Sequence, residues 1–343
     1  MNDEAISLLT LLRRLRALGG TSGNKLGNTV NAYSALHQDS LDQRRHHYEK
    51  LVNHYYDMAS AFYEYGWGRS WHFAPRHEEE TLHESLLRHE YWLACKLDLT
   101  ALTRTLDIGC GIGGPMRAIA GFSEGHITGI NNNASQVDRA IQLNRNIPAK
   151  NLCEVIKGDF MEMPFNDASF DAAYAIEATV HAPNLVQVYK EIRRTLKPGG
   201  LFGSYEWCMT AQFQPENERH KLLKQHIEIG NGIPDIHTIH VVLRALKDAG
   251  FTLIHYEDRG SFNQGDIPWW QPLRPKGFSL ATLRSSEFGG RLIHSSLSAL
   301  EFLRLVPQGT ASVAQMLAQG GSALATAGEE GIFTPSFFIL ARK

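Results

Sequence analysis

Aromatic and acidic side chains are interleaved in one short segment, residues 62–73, in a pattern that could shelter a cation. Glu64 lies among rings that are nearly consecutive and are interrupted by Gly66 and Gly68, so the rings cannot all face one hydrophobic core. These rings are Phe62, Tyr63, Tyr65, Trp67, Trp71 and Phe73. A cation over a ring face in a dry site gains roughly 2 kcal/mol. The segment therefore predicts an aromatic wall suited to a reaction that passes through a carbocation.

Two further groups of functional side chains stand where strands of an open parallel sheet would end. Residues 174–183 read Tyr-Ala-Ile-Glu-Ala-Thr-Val-His-Ala-Pro, and residues 205–207 read Tyr-Glu-Trp. Ligands meet such sheets at the carboxyl ends of the strands, so Glu177 and His181 are candidates for proton transfer. Other histidines recur every five or six residues, which scatters them around a helix, and we predict no metal site.

A glycine-rich turn at residues 106–115, Leu-Asp-Ile-Gly-Cys-Gly-Ile-Gly-Gly-Pro, has the form of a cofactor loop. Glycines let the backbone turn tightly and approach a ligand, but such a loop also serves dinucleotides. Two details favour S-adenosyl-L-methionine. The carboxylate of Asp107 could meet its ammonium group and would repel a phosphate, and no Lys-Ser or Lys-Thr follows the glycines, which excludes a P-loop. The candidate contacts are Asp107, Gly109, Cys110, Gly111 and Gly113.

Later strand ends carry further candidate cofactor contacts. Asn131 stands where many such enzymes place an acid for the ribose hydroxyls, and its amide can also bond a diol. Asp159 could accept a hydrogen bond from the adenine amino group while the ring of Phe160 packs on the base. An isolated Asp-Phe pair is more often a turn residue followed by a core residue, but its position in series with the glycine loop favours the cofactor.

The elements that position these residues alternate between strands and helices. The strand segments are residues 104–110, 126–130, 153–157, 170–176, 201–207, 251–258 and 335–342. The helix segments between them are residues 115–122, 135–146, 185–196, 216–230 and 238–249. Strands alternating with helices of this length predict an α/β fold with a seven-stranded, mostly parallel sheet and helices on both faces.

Four regions follow from this pattern: 1–47, 48–97, 98–260 and 261–343. The first holds an amphipathic cationic helix at residues 6–18, which could lie at a lipid interface or cap a hydrophobic site, followed by a polar connector at residues 21–42 that we expect to be mobile. Region 48–97 is an aromatic-rich helical cap, and region 98–260 is the cofactor-binding core. The last region includes a long excursion before the final strand, which we expect to cover the substrate pocket.

Composition narrows the possible partners. A net charge of −2 and an isoelectric point near 6.8 provide no electrostatic footprint for nucleic acid. The four cysteines form no CxxC pair, which fits a reducing compartment. No run reaches the roughly 18 to 20 consecutive apolar residues that cross a bilayer. We therefore expect a soluble, cytoplasmic protein.

Four blocks of this sequence, residues 63–68, 107–115, 174–179 with 181–183, and 205–210, closely resemble the signature blocks of sterol 24-C-methyltransferases, and the likeness extends from about residue 48 to the C-terminus. Val180 departs from the family pattern, which usually has Cys at this position. The resemblance implies a class I methyltransferase with a Rossmann-like core and a C-terminal sterol domain. It further implies methyl transfer from S-adenosyl-L-methionine to the carbon-24 alkene of a sterol side chain, through a carbocation, with S-adenosyl-L-homocysteine as the second product.

The same resemblance implies roles for individual residues. Glu64, Tyr65, Glu177 and His181 would be catalytic, with the deprotonating base and its orienting partner among them. The sterol site would be lined by Tyr63, Trp67, Phe73, Tyr174, Tyr205 and Trp207. Gln136 resembles a position that faces the cofactor in the related cyclopropane synthases. Residues 262–291, where the likeness is weaker, would set the preference for the sterol nucleus. The expected partners are a sterol and further copies of the chain, with peripheral contact to the endoplasmic reticulum membrane.

Three alternatives share parts of this pattern. A cyclopropane-fatty-acid-type or other lipid methyltransferase has the same fold and alkene chemistry. A phospholipid or small-amine methyltransferase would need a headgroup site of acids and tyrosines rather than an apolar pocket. An inactive sterol-binding protein would not need the intact glycine loop or Asp159.

Overall fold

The structure is a computed structural model that describes residues 7–19, 24–145, 147–260, 266–274 and 287–343, without the side chains of Leu8 and residues 287–293. Its helices are α1 Leu8–Leu18, α2 Lys25–Gln38, α3 Leu41–His46, α4 Tyr48–Gly66, α5 Leu82–Lys96, α6 Gly114–Ser123, α7 Ala134–Asn144, α8 Leu185–Thr195, α9 Glu218–Asn231, α10 Ile239–Asp248, α11 Glu287–Phe302 and α12 Thr310–Glu329. Its strands are β1 Arg76–His77, β2 Arg104–Ile108, β3 His126–Asn131, β4 Cys153–Lys157, β5 Phe170–Ile176, β6 Leu196–Met209, β7 Thr252–Asp258, β8 Asp266–Ile267 and β9 Phe333–Arg342.

A seven-stranded sheet in the order β4-β3-β2-β5-β6-β9-β7 forms the centre of the molecule. Strands β2 to β6 pair in parallel, whereas β9 lies antiparallel between β6 and β7. The predicted α/β fold and the mostly parallel sheet are confirmed. The order reverses beside β2, and ligands bind outside the carboxyl ends of strands at such a switch point.

Helices cover both faces of this sheet because its central strands are apolar on both sides. On one face, Val188 and Ile192 of α8 and Leu246 of α10 are fully buried in a single hydrophobic cluster. On the other face, Leu93 of α5 and Ile119 of α6 belong to a second fully buried cluster. Burial on both faces is typical of the parallel strands that form the centre of this sheet.

The N-terminal helices form a cap rather than the mobile connector expected for residues 21–42. Within the described part of that stretch, α2 buries Leu26 and Tyr33 against α4 and α12. These two side chains are seven residues apart and therefore lie on the same helix face. The expectation of a connector is wrong because the polar composition of this segment belongs to the solvent-facing side of an amphipathic helix.

The C-terminal excursion packs α12 along α9, where Gly230 and Gly320 allow the two backbones to meet. A Cβ atom on Gly230 would lie 2.4 Å from the Cα of Gly320. The excursion also brings β8 beside β1 of the cap and then returns to the sheet as β9. Of the region expected to set sterol preference, residues 262–265 and 275–286 lie outside the described residues.

Candidate active site

The glycine loop joins β2 to α6 and presses its backbone against the end of β5. Gly109, Gly111 and Gly113 have φ angles of 74°, 54° and 78°, a region that glycine adopts without strain. A Cβ atom on Gly109 would lie 2.5 Å from the Cβ of Ala178, whereas one on Gly111 would meet open space. The loop therefore needs glycine at position 109 to lie close to the segment that follows β5.

A cleft opens above this loop at the carboxyl ends of the strands, under α4. It is lined by Val52, Tyr56, Arg69, Trp71, His72, Gly109, Cys110, Gly111, Ile112, Pro115, Asn131, Asn132, Asn133, Gln136, Phe160, Ile176, Glu177, Ala178 and His181. Among these described lining residues, only Arg69 and Glu177 belong to the Asp, Glu, Lys and Arg types. The cleft is therefore not lined mainly by charged side chains. A mainly charged lining would have argued against a sterol substrate.

Six of the predicted cofactor contacts line the cleft: Gly109, Cys110, Gly111, Asn131, Gln136 and Phe160. The amide of Asn131 donates to Oε1 of Gln136 at 2.8 Å. The amide of Gln136 in turn donates to Ser60 of α4 at 3.2 Å. These contacts hold the two amide side chains on one wall and join the cap to the core.

The other three predicted cofactor residues lie beside the cleft rather than in its lining. Asp107 is 3% exposed and accepts a 2.9 Å hydrogen bond from the hydroxyl of Tyr174. Burial raises the pKa of Asp107 to about 7, although the bond from Tyr174 opposes the shift. Asp159 accepts hydrogen bonds from the Tyr48 hydroxyl and from a nearby backbone amide, and Gly113 precedes the first turn of α6.

Glu177 is held at the end of β5 by two neutral donors. The backbone N–H of Phe73 donates to Oε1 at 2.8 Å, and Nε1 of Trp207 donates to Oε2 at 2.7 Å. The side chain is 9% exposed, and burial raises its pKa to about 8. Its φ angle of 54° is unfavourable for a residue with a Cβ atom. Strained residues of this kind are concentrated at functional sites.

A second chain of hydrogen bonds supports the donor on Phe73. The carbonyl oxygen of His72, which shares a peptide group with that N–H, accepts from Nε1 of Trp67 at 3.0 Å. The imidazole of His72 is itself buried and bonded to Glu90 at 3.0 Å. This arrangement fixes the peptide that faces Glu177.

His181 is a neutral imidazole in a defined tautomer. Its Nδ1 lies 3.1 Å from the carbonyl oxygen of Gly232, which can only accept, so Nδ1 carries the proton. Nε2 then accepts from the hydroxyl of Tyr56 at 3.1 Å. Burial lowers the pKa of His181 to about 4. The side chain is therefore placed to hold Tyr56 in the cleft.

Aromatic rings pack in a cluster beside Glu177. The ring of Phe73 lies 5.1 Å from Trp67, 6.0 Å from Trp207 and 4.9 Å from Trp269, measured between centroids. Phe333 closes the cluster, 5.3 Å from Trp207. We call these five residues the aromatic cluster. Three of them, Trp67, Phe73 and Trp207, were predicted to contact substrate.

Glu64 and Tyr65, which were predicted to be catalytic, contact residues outside the cleft. Glu64 pairs with Arg14 of α1 and Arg139 of α7. Burial raises its pKa, but the two guanidinium groups outweigh that effect and hold the pKa below its usual value. Tyr65 packs against a hydrophobic cluster that contains Leu11 of α1. Neither residue lines the cleft, because the residues of α4 that face it are Val52 and Tyr56.

None of the six predicted substrate contacts belongs to the described lining of the cleft. Trp67, Phe73 and Trp207 pack in the aromatic cluster, and the other three pack elsewhere. Tyr63 bonds through its hydroxyl to Tyr55 at 2.8 Å. Tyr174 is fully buried below Asp107, and Tyr205 is fully buried with its ring 3.7 Å from that of His89. The last two belong to the hydrophobic core of the sheet.

Several residues at the site were not assigned a role from the sequence. Tyr56 stands four residues after Val52 on α4, and that spacing could have placed both on one helix face. Trp269 lies far from the rest of the aromatic cluster in the chain, and no local signal identifies it. Within the described residues, no group of three or more potential ligands could hold a metal ion.

Comparison with known proteins matches residues 106–203 to the methyltransferase domain family and residues 280–343 to the sterol methyltransferase C-terminal family. The chain is 45% identical over 330 residues to cycloartenol-C-24-methyltransferase 1 from Oryza sativa subsp. japonica, covering 95% of each chain. It is 47% identical to the cycloartenol-C-24-methyltransferase of Arabidopsis thaliana, over 91% of this chain and 92% of that one. A sterol 24-C-methyltransferase of Neurospora crassa is 40% identical, over 89% and 82%.

Solved structures share the fold at much lower sequence identity. The cyclopropane synthase MmaA2 from Mycobacterium tuberculosis superposes with a TM-score of 0.66 at 16% identity, over 86% of this chain and 98% of that one. The mycolic acid cyclopropane synthase CmaA1, complexed with S-adenosyl-L-homocysteine, gives a TM-score of 0.65 at 15% identity, over the same shares.

Proposed function

The chain belongs to the sterol 24-C-methyltransferase family, and we propose that Glu177 is the base that completes its reaction. The enzyme transfers a methyl group from S-adenosyl-L-methionine to carbon 24 of a sterol side chain. The observation that carries the proposal is a buried carboxyl group beside an aromatic cluster, with neutral donors on both of its oxygens.

The lining of the cleft offers groups that suit the chemistry of the cofactor. Gly111 leaves open space where a side chain would stand, and Asn131, Gln136 and Phe160 offer amide groups and a ring. We propose that these residues hold the adenosine part with Gly109, Cys110 and Gly113, and that Asp159 contributes from the end of β4. Asp107 would hold the ammonium group. When bound, S-adenosyl-L-methionine supplies an electrophilic methyl group on a sulfonium.

The aromatic cluster would stabilise the charge that methyl transfer leaves on the substrate. A sterol alkene needs no deprotonation before it attacks, so the protein must orient it and then shelter a carbocation. Phe73 and Trp207 are buried beside Glu177 with Trp67 packed against them, and we propose that the sterol side chain binds next to these rings, because a cation gains most over a ring in a dry site. A fixed base nearby is then needed to remove a proton and release a neutral alkene.

Glu177 has the properties of that base. Each of its two donors occupies one lone pair on one carboxylate oxygen. The second lone pair of each oxygen stays free to accept a proton. A pKa raised to about 8 makes its carboxylate a stronger base than an exposed one. His181 is a weaker candidate because its lowered pKa and its bond from Tyr56 make it a poor proton acceptor. We propose that His181 orients Tyr56 instead.

Glu177→Gln tests this assignment. We expect the variant to bind S-adenosyl-L-methionine within about threefold of wild type, and to lose about 10²-fold or more in turnover of cycloartenol. Glu206→Gln is the matched control, since Glu206 is a buried carboxyl at the same sheet edge with a pKa also raised to about 8, but it bonds Thr179 and does not line the cleft. Equal turnover in the two variants would remove Glu177 from the mechanism.

We further propose that the chain forms a homo-oligomer and acts at the endoplasmic reticulum membrane surface, as the family resemblance implies. In the described residues, the structure contains no helix long and apolar enough to cross a bilayer. Light scattering of the purified protein tests the first point, and fractionation of host cells tests the second.

A further inference from the structure

The turn that follows α11 holds large apolar side chains in solvent. Phe302 is 87% exposed, Leu303 is 62% exposed and Leu305 is 42% exposed, and Arg304 between them is also exposed. Single exposed apolar residues are common on soluble proteins, but a contiguous apolar patch marks an interaction site. We call residues 302–305 the apolar turn.

The apolar turn is a fixed structure and not a frayed helix end. The N–H groups of Leu303, Arg304 and Leu305 donate to the carbonyls of Ala299, Glu301 and Leu300 at 3.0, 2.9 and 2.9 Å. Arg304 has a left-handed φ of 57°, as in turns that close a helix. The backbone thus uses its hydrogen bonds to keep these side chains pointing outward.

Helix α1 is clamped to this turn and adds positive charge. Nε of Arg16 donates to the carbonyl of Leu305 at 2.8 Å. Arg13 and Arg16 are both exposed, and α1 contains no acidic residue. Leu9, which is 70% exposed, adds an apolar side chain on the same helix. The surface therefore combines apolar side chains with cations.

The apolar face of α1 packs inside the protein rather than at this surface. Leu11 and Leu15 are 6% and 1% exposed and pack against Ala61 of α4. Arg14 is paired with Glu64. This face of α1 is a cap on α4, the helix that lines the cleft, so it cannot also insert into lipid.

We propose that the apolar turn, with Arg13, Arg16 and Arg304, docks the enzyme on the anionic surface of a phospholipid bilayer. Charge complementarity selects this partner, because exposed arginines beside protruding Phe and Leu side chains match acidic headgroups above an apolar layer. The inference rests on the proposed function to the extent that a sterol substrate resides in such a bilayer. Docking here places the cap, and not the opposite edge of the sheet, against the membrane.

Vesicle flotation of the full-length protein tests the docking surface. We expect wild type to bind vesicles of phosphatidylcholine and phosphatidylserine more tightly than phosphatidylcholine alone. Phe302→Ser with Leu303→Ser should reduce binding to both by about tenfold, given the apolar area removed. Arg13→Gln with Arg304→Gln should remove the preference for the acidic lipid. Leu102→Ser is the matched control, since Leu102 is 93% exposed at the amino end of β2, and it should bind like wild type.

Unchanged flotation of the Phe302 and Leu303 double variant would overturn the proposal. The proposal would also be overturned if the double variant formed a smaller particle than wild type in light scattering but bound lipid equally well. That result would assign the turn to contact between copies of the chain. Measurements of turnover distinguish a failure of this inference from a failure of the proposed function. On cycloartenol delivered in cyclodextrin the double variant should match wild type, and only turnover from vesicles should fall. A wild type that methylates no sterol from either source would refute the function while leaving the flotation result intact.

Discussion

The indole Nε1 of Trp207 donates a 2.7 Å hydrogen bond to Oε2 of Glu177, joining the end of β6 to the end of β5. Burial raises the pKa of Glu177, and this bond lowers it. The same indole ring belongs to the aromatic cluster. One side chain therefore tunes the proposed base and forms part of the proposed cation shelter.

Trp207→Phe should separate these two contributions. The variant keeps a ring but loses the donor, so the pKa of Glu177 should rise by about one to two units, the equivalent of one hydrogen bond to a charged group. Because the carboxylate is the active form, the pH dependence of kcat should shift to higher pH by the same amount. Trp269→Phe, in the same cluster but without a bond to Glu177, should leave the pH profile in place. Identical profiles for both variants would contradict the proposed base.

Asp107→Asn should weaken binding of S-adenosyl-L-methionine by about ten- to a hundredfold, because it removes the charge proposed to face the ammonium group. Isothermal calorimetry measures this affinity. Tyr174→Phe provides a comparison, since losing its hydroxyl should raise the pKa of Asp107 above 7. Its affinity should therefore be reduced near neutral pH and restored at higher pH. Unchanged affinity of the Asn variant would exclude the role.

Glu206 should make stability depend on pH. Burial raises its pKa from 4.5 to about 8, so the folded protein keeps a proton that the unfolded chain has released. Glu206 therefore stabilises the folded protein fully below the pKa of 4.5 that it has in the unfolded chain. This stabilisation is lost as the pH rises to about 8, its pKa in the folded protein. Urea unfolding of Glu206→Gln should show a shallower decline over this interval than wild type. Glu177 contributes with the same sign, so some decline should remain, and an unaltered slope would show that Glu206 is ionised.

Glu64→Gln should affect the cap and not the chemistry. Glu64 is 1% exposed, but its partners Arg14 and Arg139 are about a quarter exposed. Their charges can be solvated when the carboxylate is lost, and we expect a loss of about 1–2 kcal/mol of stability. Turnover by the folded fraction should stay within about threefold of wild type, well short of the loss expected for a general base. A large fall in kcat with unchanged unfolding would restore Glu64 to the catalytic residues.

The sequence predicted the sheet well because the signals were local. Glycines and helix caps interrupt each strand-helix unit, and the apolar strands are buried on both faces. The α2 helix was missed because only Leu26 and Tyr33 in it are fully buried. Sequence spacing identified the region of the site but not the direction of each side chain. Glu64 and Tyr65 are adjacent in the chain yet contact different neighbours. Trp269 joins the aromatic cluster only through the tertiary fold.

The most direct test of sterol side-chain methylation is incubation of the purified protein with methyl-labelled S-adenosyl-L-methionine and a panel of substrates. The panel contains cycloartenol, lanosterol, zymosterol, desmosterol and an unsaturated phospholipid, and mass spectrometry locates the label. We expect label on the side chain of a sterol, and about 10²-fold less labelled product when Glu177 is replaced by Gln. Label only on acyl chains, or on no lipid at all, would contradict the account and favour a cyclopropane-type enzyme or an inactive sterol-binding protein.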